Sequence, residues 1–176
     1  WMCEPTVLAR TGLDMAEHQR RTVESYTELR TLNTGLPFVP VLQGFTLDDY
    51  RRCADLYEAA GHDLRGGLLV GIGSVCRRQH TADAERIIRA LTADGFSLHG
   101  FGFKLDGLAR CRSVLASADS LAWSYGARKR GRADQPRLAA LAANPSLFEA
   151  GDAKAEPDQN STAAALAWLA GVRVAA

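Results

Sequence analysis

Short apolar runs recur along this chain at a spacing that only a few architectures can absorb. "FVPVLQG" (38–44), "GLLVGIG" (67–73), "SLHGFGFK" (97–104) and "DSLAWS" (119–124) are each bounded by turn residues and read as buried strands. Between them lie segments with helical periodicity. Thr46 is an N-cap for "LDDYRRCADLYEAAG", which has acids in its first turn and Gly61 as its stop. Thr81 caps "ADAERIIRALTADG", which stops at Gly95, and "LDGLARCRSVLAS" follows the third run. A strand followed by a helix every 20 to 30 residues is the signature of βα units on a parallel sheet. The continuous apolar character of the runs predicts strands covered on both faces.

Upstream, residues 13–32 form a helical pattern through Met15, Val23, Tyr26 and Leu29, ended by "NTGLP". Downstream, "GARKRGRADQPR" reads as a basic loop, residues 136–150 as an Ala/Leu-rich helix, "GDAKAEPDQNST" as a polar linker and residues 162–174 as a last helix. Residues 1–150 therefore form one domain, and 151–176 a linker and C-terminal helix. Four βα units fit half of an eight-stranded barrel or a small open sheet. Length alone favours the open sheet, since a complete barrel takes about 250 residues.

With 176 residues, 47% of them hydrophobic and 23% charged, the chain can build one sizeable core. Its net charge of +1 gives no global attraction to nucleic acid or membrane, so a local patch has to supply any. No run of about 18 apolar residues argues for a membrane span. "WMCEPTVLAR" has neither the basic start nor the apolar stretch of a signal peptide, and the start at Trp1 points to a fragment or a processed end. The expected compartment is the cytoplasm, with Cys3, Cys53, Cys76 and Cys111 as free thiols. They lack metal-ligand spacing, so no metal is expected.

In either architecture ligands bind at the C-terminal edge of the strands. There the sequence places Gln43 and Gly44, then Gly71, Ile72, Gly73, Ser74, Cys76 and the pair Arg77–Arg78. Next come Gly102 and Lys104, and finally Ser124, with Asp119 at the beginning of the fourth strand or inside it. The Gln43 amide donates and accepts at once, which suits a purine edge, though a βα loop also tolerates a polar residue. Gly71 and Gly73 allow close backbone approach to a flat ligand, or simply serve a turn. "GIGSVC" does not complete a dinucleotide fingerprint. Arg77 and Arg78 can grip a phosphate, the alternative being a solvated helix start. Asp119 is either a cap or ion-pair partner or a chemical group, since carboxylates act as nucleophiles in glycosyl transfer. Arg128, Lys129 and Arg130 lie in the densest basic stretch, suited to nucleic-acid phosphates or to plain solvation. His18, His62, His80 and His99 read as structural or surface residues, and the three tryptophans as core or rim.

In order, "FVPVLQGFTLDDYRRCADLY", "GGLLVGIGSVCRR", "LHGFGFK" and "SADSLAWSYGAR" resemble the deazapurine DNA modification (DpdA-like) transglycosylases, relatives of the queuine and archaeosine tRNA-guanine transglycosylases. The resemblance covers about residues 1–128 and implies an α/β fold, the C-terminal part of a (β/α)8 TIM barrel with about four parallel strands and alternating helices. It implies base exchange, guanine in DNA (less readily tRNA) being replaced by a preQ0-like 7-deazapurine. An aspartate holds the nucleic acid covalently, and a second aspartate on an early strand handles protons. "VLQG" is similar to the family's base-contacting V-Q-G strand end, and "GGLLVGIG" to a G-G-L-x-V-G loop whose backbone reads the base. "WMCEP" is similar to the end of a preceding strand that carries acidic contacts, with Glu4 as the match. Asp119 is the nucleophile candidate. In the tRNA enzymes that residue lies further along the strand, where this chain has Ala122 and Trp123, so Asp119 otherwise matches a neighbouring structural aspartate. The family's C-terminal zinc ligands have no counterpart in "DAKAEPDQNST", and no cofactor is implied. The early strands would lie upstream or be supplied by a second copy. Two alternatives stand beside this reading: a degenerate, noncatalytic module that binds a purine or nucleic acid, and an unrelated α/β enzyme with a phosphate-bearing substrate.

Overall fold

A computed structural model describes residues 1–32 and 35–120. The basic stretch at 127–132, the helices expected at 136–150 and 162–174 and the linker between them lie outside the described residues, as does 121–124. Within them, α1 (Pro5–Thr11) and α2 (Met15–Leu32) precede β1 (Val41–Leu42), α3 (Leu47–Ala59), β2 (Leu69–Ile72), α4 (Ala82–Ala93), β3 (Ser97–Gly100), α5 (Leu105–Cys111) and β4 (Ser117–Ala118). The four strands form one parallel sheet in the order β1-β2-β3-β4. Parallel strands alternating with helices are compatible with part of a (β/α)8 barrel.

The caps explain the helix boundaries. The Thr46 hydroxyl accepts from the Asp49 N–H, and the Asp49 carboxylate accepts from the Thr46 N–H, a complete capping box at the head of α3. Thr81 caps α4 through the Ala84 N–H. Two expectations need correction. The segment matched to a strand end, "WMCEP", is not a strand: Pro5 opens α1 at a position where its missing N–H costs nothing, and Gly12, at φ 68°, closes that helix on the Leu8 carbonyl. The last described strand, β4, is Ser117–Ala118, so Asp119 follows it instead of starting it; residues 121–124 of the expected fourth run lie outside the described residues.

Side-chain alternation gives the sheet two unlike faces. Leu42, Val70, Ile72 and Leu98 point into a core shared with Tyr50, Tyr57, Ile87, Ile88, Leu91 and Phe103. Fully burying each aliphatic side chain there contributes about 1.5–3 kcal/mol. The opposite face is less apolar than the expected two-sided coverage requires. One cross-strand rung runs Val41, Gly71, His99, Ser117.

The edge of β1 facing away from β2 is closed by side chains. The Tyr57 hydroxyl accepts from the Val41 N–H at 3.2 Å and donates to the Val41 carbonyl at 3.3 Å. The Gln43 N–H reaches the Cys53 sulfur at 3.4 Å, and Gln19 Nε2 donates to the Gln43 carbonyl at 2.7 Å. An open edge is thereby satisfied without another strand. Tyr57→Phe removes one hydroxyl and orphans both peptide groups of Val41. It is expected to lower stability by about 2 kcal/mol, read as a lower urea midpoint at unchanged slope.

Candidate functional site

Continuing the alternation past the strand ends puts Gln43, Gly73, Phe101 and Asp119 in the next rung, on the face that carries Gly71 and His99. Laid flat, three interstrand spacings, about 14 Å, separate β1 from β4.

At the β1–β2 end, the Gln43 amide lies flat against Gly73, where a Cβ would collide with it. Gln43 is 6% exposed. Its Oε1 accepts from the Ser74 hydroxyl at 2.7 Å, and Ser74 Oγ accepts from the Cys3 N–H at 2.8 Å. Ser74 holds a left-handed φ of 58°, the only non-glycine among the described residues to do so. The Gly73 carbonyl accepts from the buried Tyr50 hydroxyl at 2.8 Å, whose pKa burial raises. Gly71 serves as a second shelf, with the Phe101 ring against it, and that ring packs edge-on to His99 at 4.8 Å.

At the β4 end, Asp119 is anchored and open at once. Its N–H donates to the Gly100 carbonyl at 3.2 Å, and its carbonyl accepts from the Phe103 N–H at 2.8 Å. Oδ1 accepts from the Gly102 N–H at 2.5 Å, and Oδ2 stands 3.7 Å from His99 Nε2. On its other side the imidazole meets Ser117 Oγ at 2.8 Å through Nδ1. The Asp119 side chain nonetheless keeps 59% of its exposure.

The remaining sequence-derived residues divide by surroundings. Glu4 is buried, and its carboxylate pairs with Arg77 Nε at 3.3 Å, while Arg77 itself is largely exposed. Arg78 is drawn inward: its guanidinium lies 4.2 Å over the Phe45 ring and bonds the Ser74 carbonyl, the Tyr50 hydroxyl and Asp83. Both arginines sit in a turn ahead of α4, not in its first turn. The Ile72 side chain is wholly in the core, so only its backbone faces the rim. Gly44 leaves room for the start of α3, since a Cβ there would strike Asp49 and Tyr50. Lys104 is exposed at the head of α5, with its N–H held by Gln79 Oε1 at 2.5 Å. Arg128, Lys129 and Arg130 lie outside the described residues.

Sequence reasoning passed over His99, Phe101, Gln79 and the role of Ser74. Counting by twos along "SLHGFGF" puts His99 and Phe101 on one face, and that signal was available. Gln79 is buried and ties the β2–α4 loop to the β3–α5 loop through the Cys76 and Gly102 carbonyls. Nothing local foretells that. All four cysteines are free. Burial pushes the Cys3 thiol up to about 12 and that of Cys53 to about 11, so both stay protonated at neutral pH. Among the described residues no cluster of three metal-ligating side chains occurs, and no helix is long and apolar enough to cross a membrane.

No curated protein and no solved structure matches the chain. The model of one family, DpdA (DeoxyPurine in DNA protein A), matches residues 1–139, which takes in every described strand, both glycine shelves and Asp119. The chain belongs to the DpdA family.

Proposed function

We propose that this chain exchanges a guanine base in DNA for a 7-deazapurine, with Asp119 as the attacking carboxylate. Membership of the DpdA family suggests a role in deazapurine DNA modification. The observation that carries the finer reading is the shared rung: a polar purine-reading group, Gln43 on its glycine shelf, and an oriented, accessible carboxylate on one face of one rim.

The target nucleotide leaves the stack and enters the rim. Its base edge meets the Gln43 amide, and the exposed Arg77 and Lys104 face the phosphates. Asp119 attacks the anomeric carbon, and the bond to the base nitrogen breaks. Guanine departs with that electron pair and gains a proton, leaving a sugar–aspartate ester. A deazapurine then loses its ring proton, attacks the same carbon and expels the carboxylate. The transition states resemble an oxocarbenium ion, which a nearby anion stabilises. Glu4 supplies an acidic contact to the base, and Arg128, Lys129 and Arg130 extend the phosphate track.

The test is a DNA duplex carrying radiolabelled guanine, incubated with the chain and a 7-deazapurine. Label release matched by deazapurine incorporation is expected. Purine binding without release would make the chain a binding module, and release from tRNA alone would overturn the choice of DNA.

A further inference from the structure

We propose that Ser74 fixes which way round the Gln43 amide faces, and so makes the rim select a 6-oxopurine over a 6-aminopurine. This inference rests on the purine-site reading above and deepens it.

The argument is one of hydrogen-bond direction. The Cys3 N–H can only donate, and it donates to Ser74 Oγ at 2.8 Å. The single hydroxyl proton of Ser74 then goes to Gln43 at 2.7 Å, which requires that the amide oxygen face it. Turned over, the amide would leave that hydroxyl proton without an acceptor in a site where Ser74 and Gln43 are each 6% exposed. A buried donor is seldom left unpaired. The direction of a backbone N–H is thus relayed through a serine to a side-chain amide.

The amide has little freedom to escape this. Its face rests on Gly73, and its backbone carbonyl is held by Gln19. Gln43 Nε2, however, has no hydrogen-bond partner among the described residues. Two N–H donors of a nearly buried amide are left for whatever occupies the rim.

The backbone adds a second, independent sign. Ser74 sits at φ 58°, where glycine is the unstrained choice. The hydroxyl is what a serine adds at that position, and the relay is where the hydroxyl goes. A paired donor group facing the ligand welcomes a ring carbonyl and meets an exocyclic amine donor to donor. Sites that leave a buried polar group unpaired reject the wrong ligand strongly.

The test is equilibrium binding of guanine and 2,6-diaminopurine, which differ in the group at position 6 and in the proton that the 6-oxo form carries at N1. The wild-type chain is expected to prefer guanine by at least about tenfold. Ser74→Gly keeps the backbone conformation and removes the hydroxyl; it is expected to narrow the preference to about threefold or less and to lower the melting temperature, because the buried Cys3 N–H loses its acceptor. Gln43→Glu replaces the donor group by an acceptor beside the intact serine and is expected to reverse the preference, a result that does not depend on how Ser74→Gly folds. An unchanged preference in Ser74→Gly, or a guanine preference surviving in Gln43→Glu, overturns the proposal and leaves the purine site standing. A wild-type chain that binds neither base overturns both.

Discussion

Asp119→Asn is expected to abolish covalent capture of DNA and to slow base exchange by at least about a thousandfold, as removal of a nucleophile does elsewhere. The substitution is nearly isosteric. The asparagine oxygen can still accept the Gly102 N–H, and the two backbone bonds to Gly100 and Phe103 do not involve the side chain. A carboxylate with 59% of its exposure adds little to folding, so the melting temperature is expected to stay put. What disappears is the anionic oxygen that forms the ester. The readout is a protein–DNA adduct that survives denaturing electrophoresis. It should be present with wild type and absent with Asp119→Asn, at equal helix content. An undiminished adduct would move the nucleophile elsewhere, first to the segment beyond Ser120. An adduct absent from both proteins would remove the covalent mechanism itself.

How much of this was legible depended on whether the deciding interactions were local. The boundaries of α3 and α4 could be read because a threonine cap and a nearby glycine stop are short-range devices. Gly61 and Gly95 do adopt the positive φ of 85° and 95° that such stops use. The α1 helix was missed because seven residues show no apolar period, and only Pro5 and the Gly12 cap mark it. The strand β4 went unread for a different reason. Ser117–Ala118 carry no apolar signal, and their pairing is set by the ladder on β3, where the Ala116 N–H donates to the Leu98 carbonyl at 2.9 Å and the Asp119 N–H to Gly100. The site divides along the same line. Gln43 and Gly73 announce themselves as polar or small residues ending apolar runs, and Asp119 as a carboxylate beside one. Ser74 acquires its role from a residue 71 positions away and His99 from one 18 positions away, distances over which no sequence period speaks.

Gly73→Ala is expected to weaken guanine binding by at least about tenfold and to lower stability by about 1–3 kcal/mol, the usual cost of overpacking. The backbone does not explain this, because Gly73 is absent from the residues with positive φ and alanine can adopt its conformation. The cause is the neighbour: the new Cβ would occupy the place of the Gln43 amide. That amide cannot simply withdraw while Ser74 holds its oxygen and Gln19 its backbone carbonyl. Either it rotates off the shelf and gives up the serine, or β2 shifts and loses the bonds from the Gly73 N–H to Leu42 at 2.9 Å and from Tyr50 to the Gly73 carbonyl. Both routes disturb the donor pair that meets the base. Gly12→Ala supplies the contrast. Nothing lies within 4 Å of its Cβ position, but its φ of 68° is strained for alanine, so it should cost about 1 kcal/mol and leave binding untouched. Urea midpoints and guanine titrations on the two variants separate a steric shelf from a strained turn. If Gly73→Ala bound guanine as tightly as wild type, the amide on that shelf would not be reading the base.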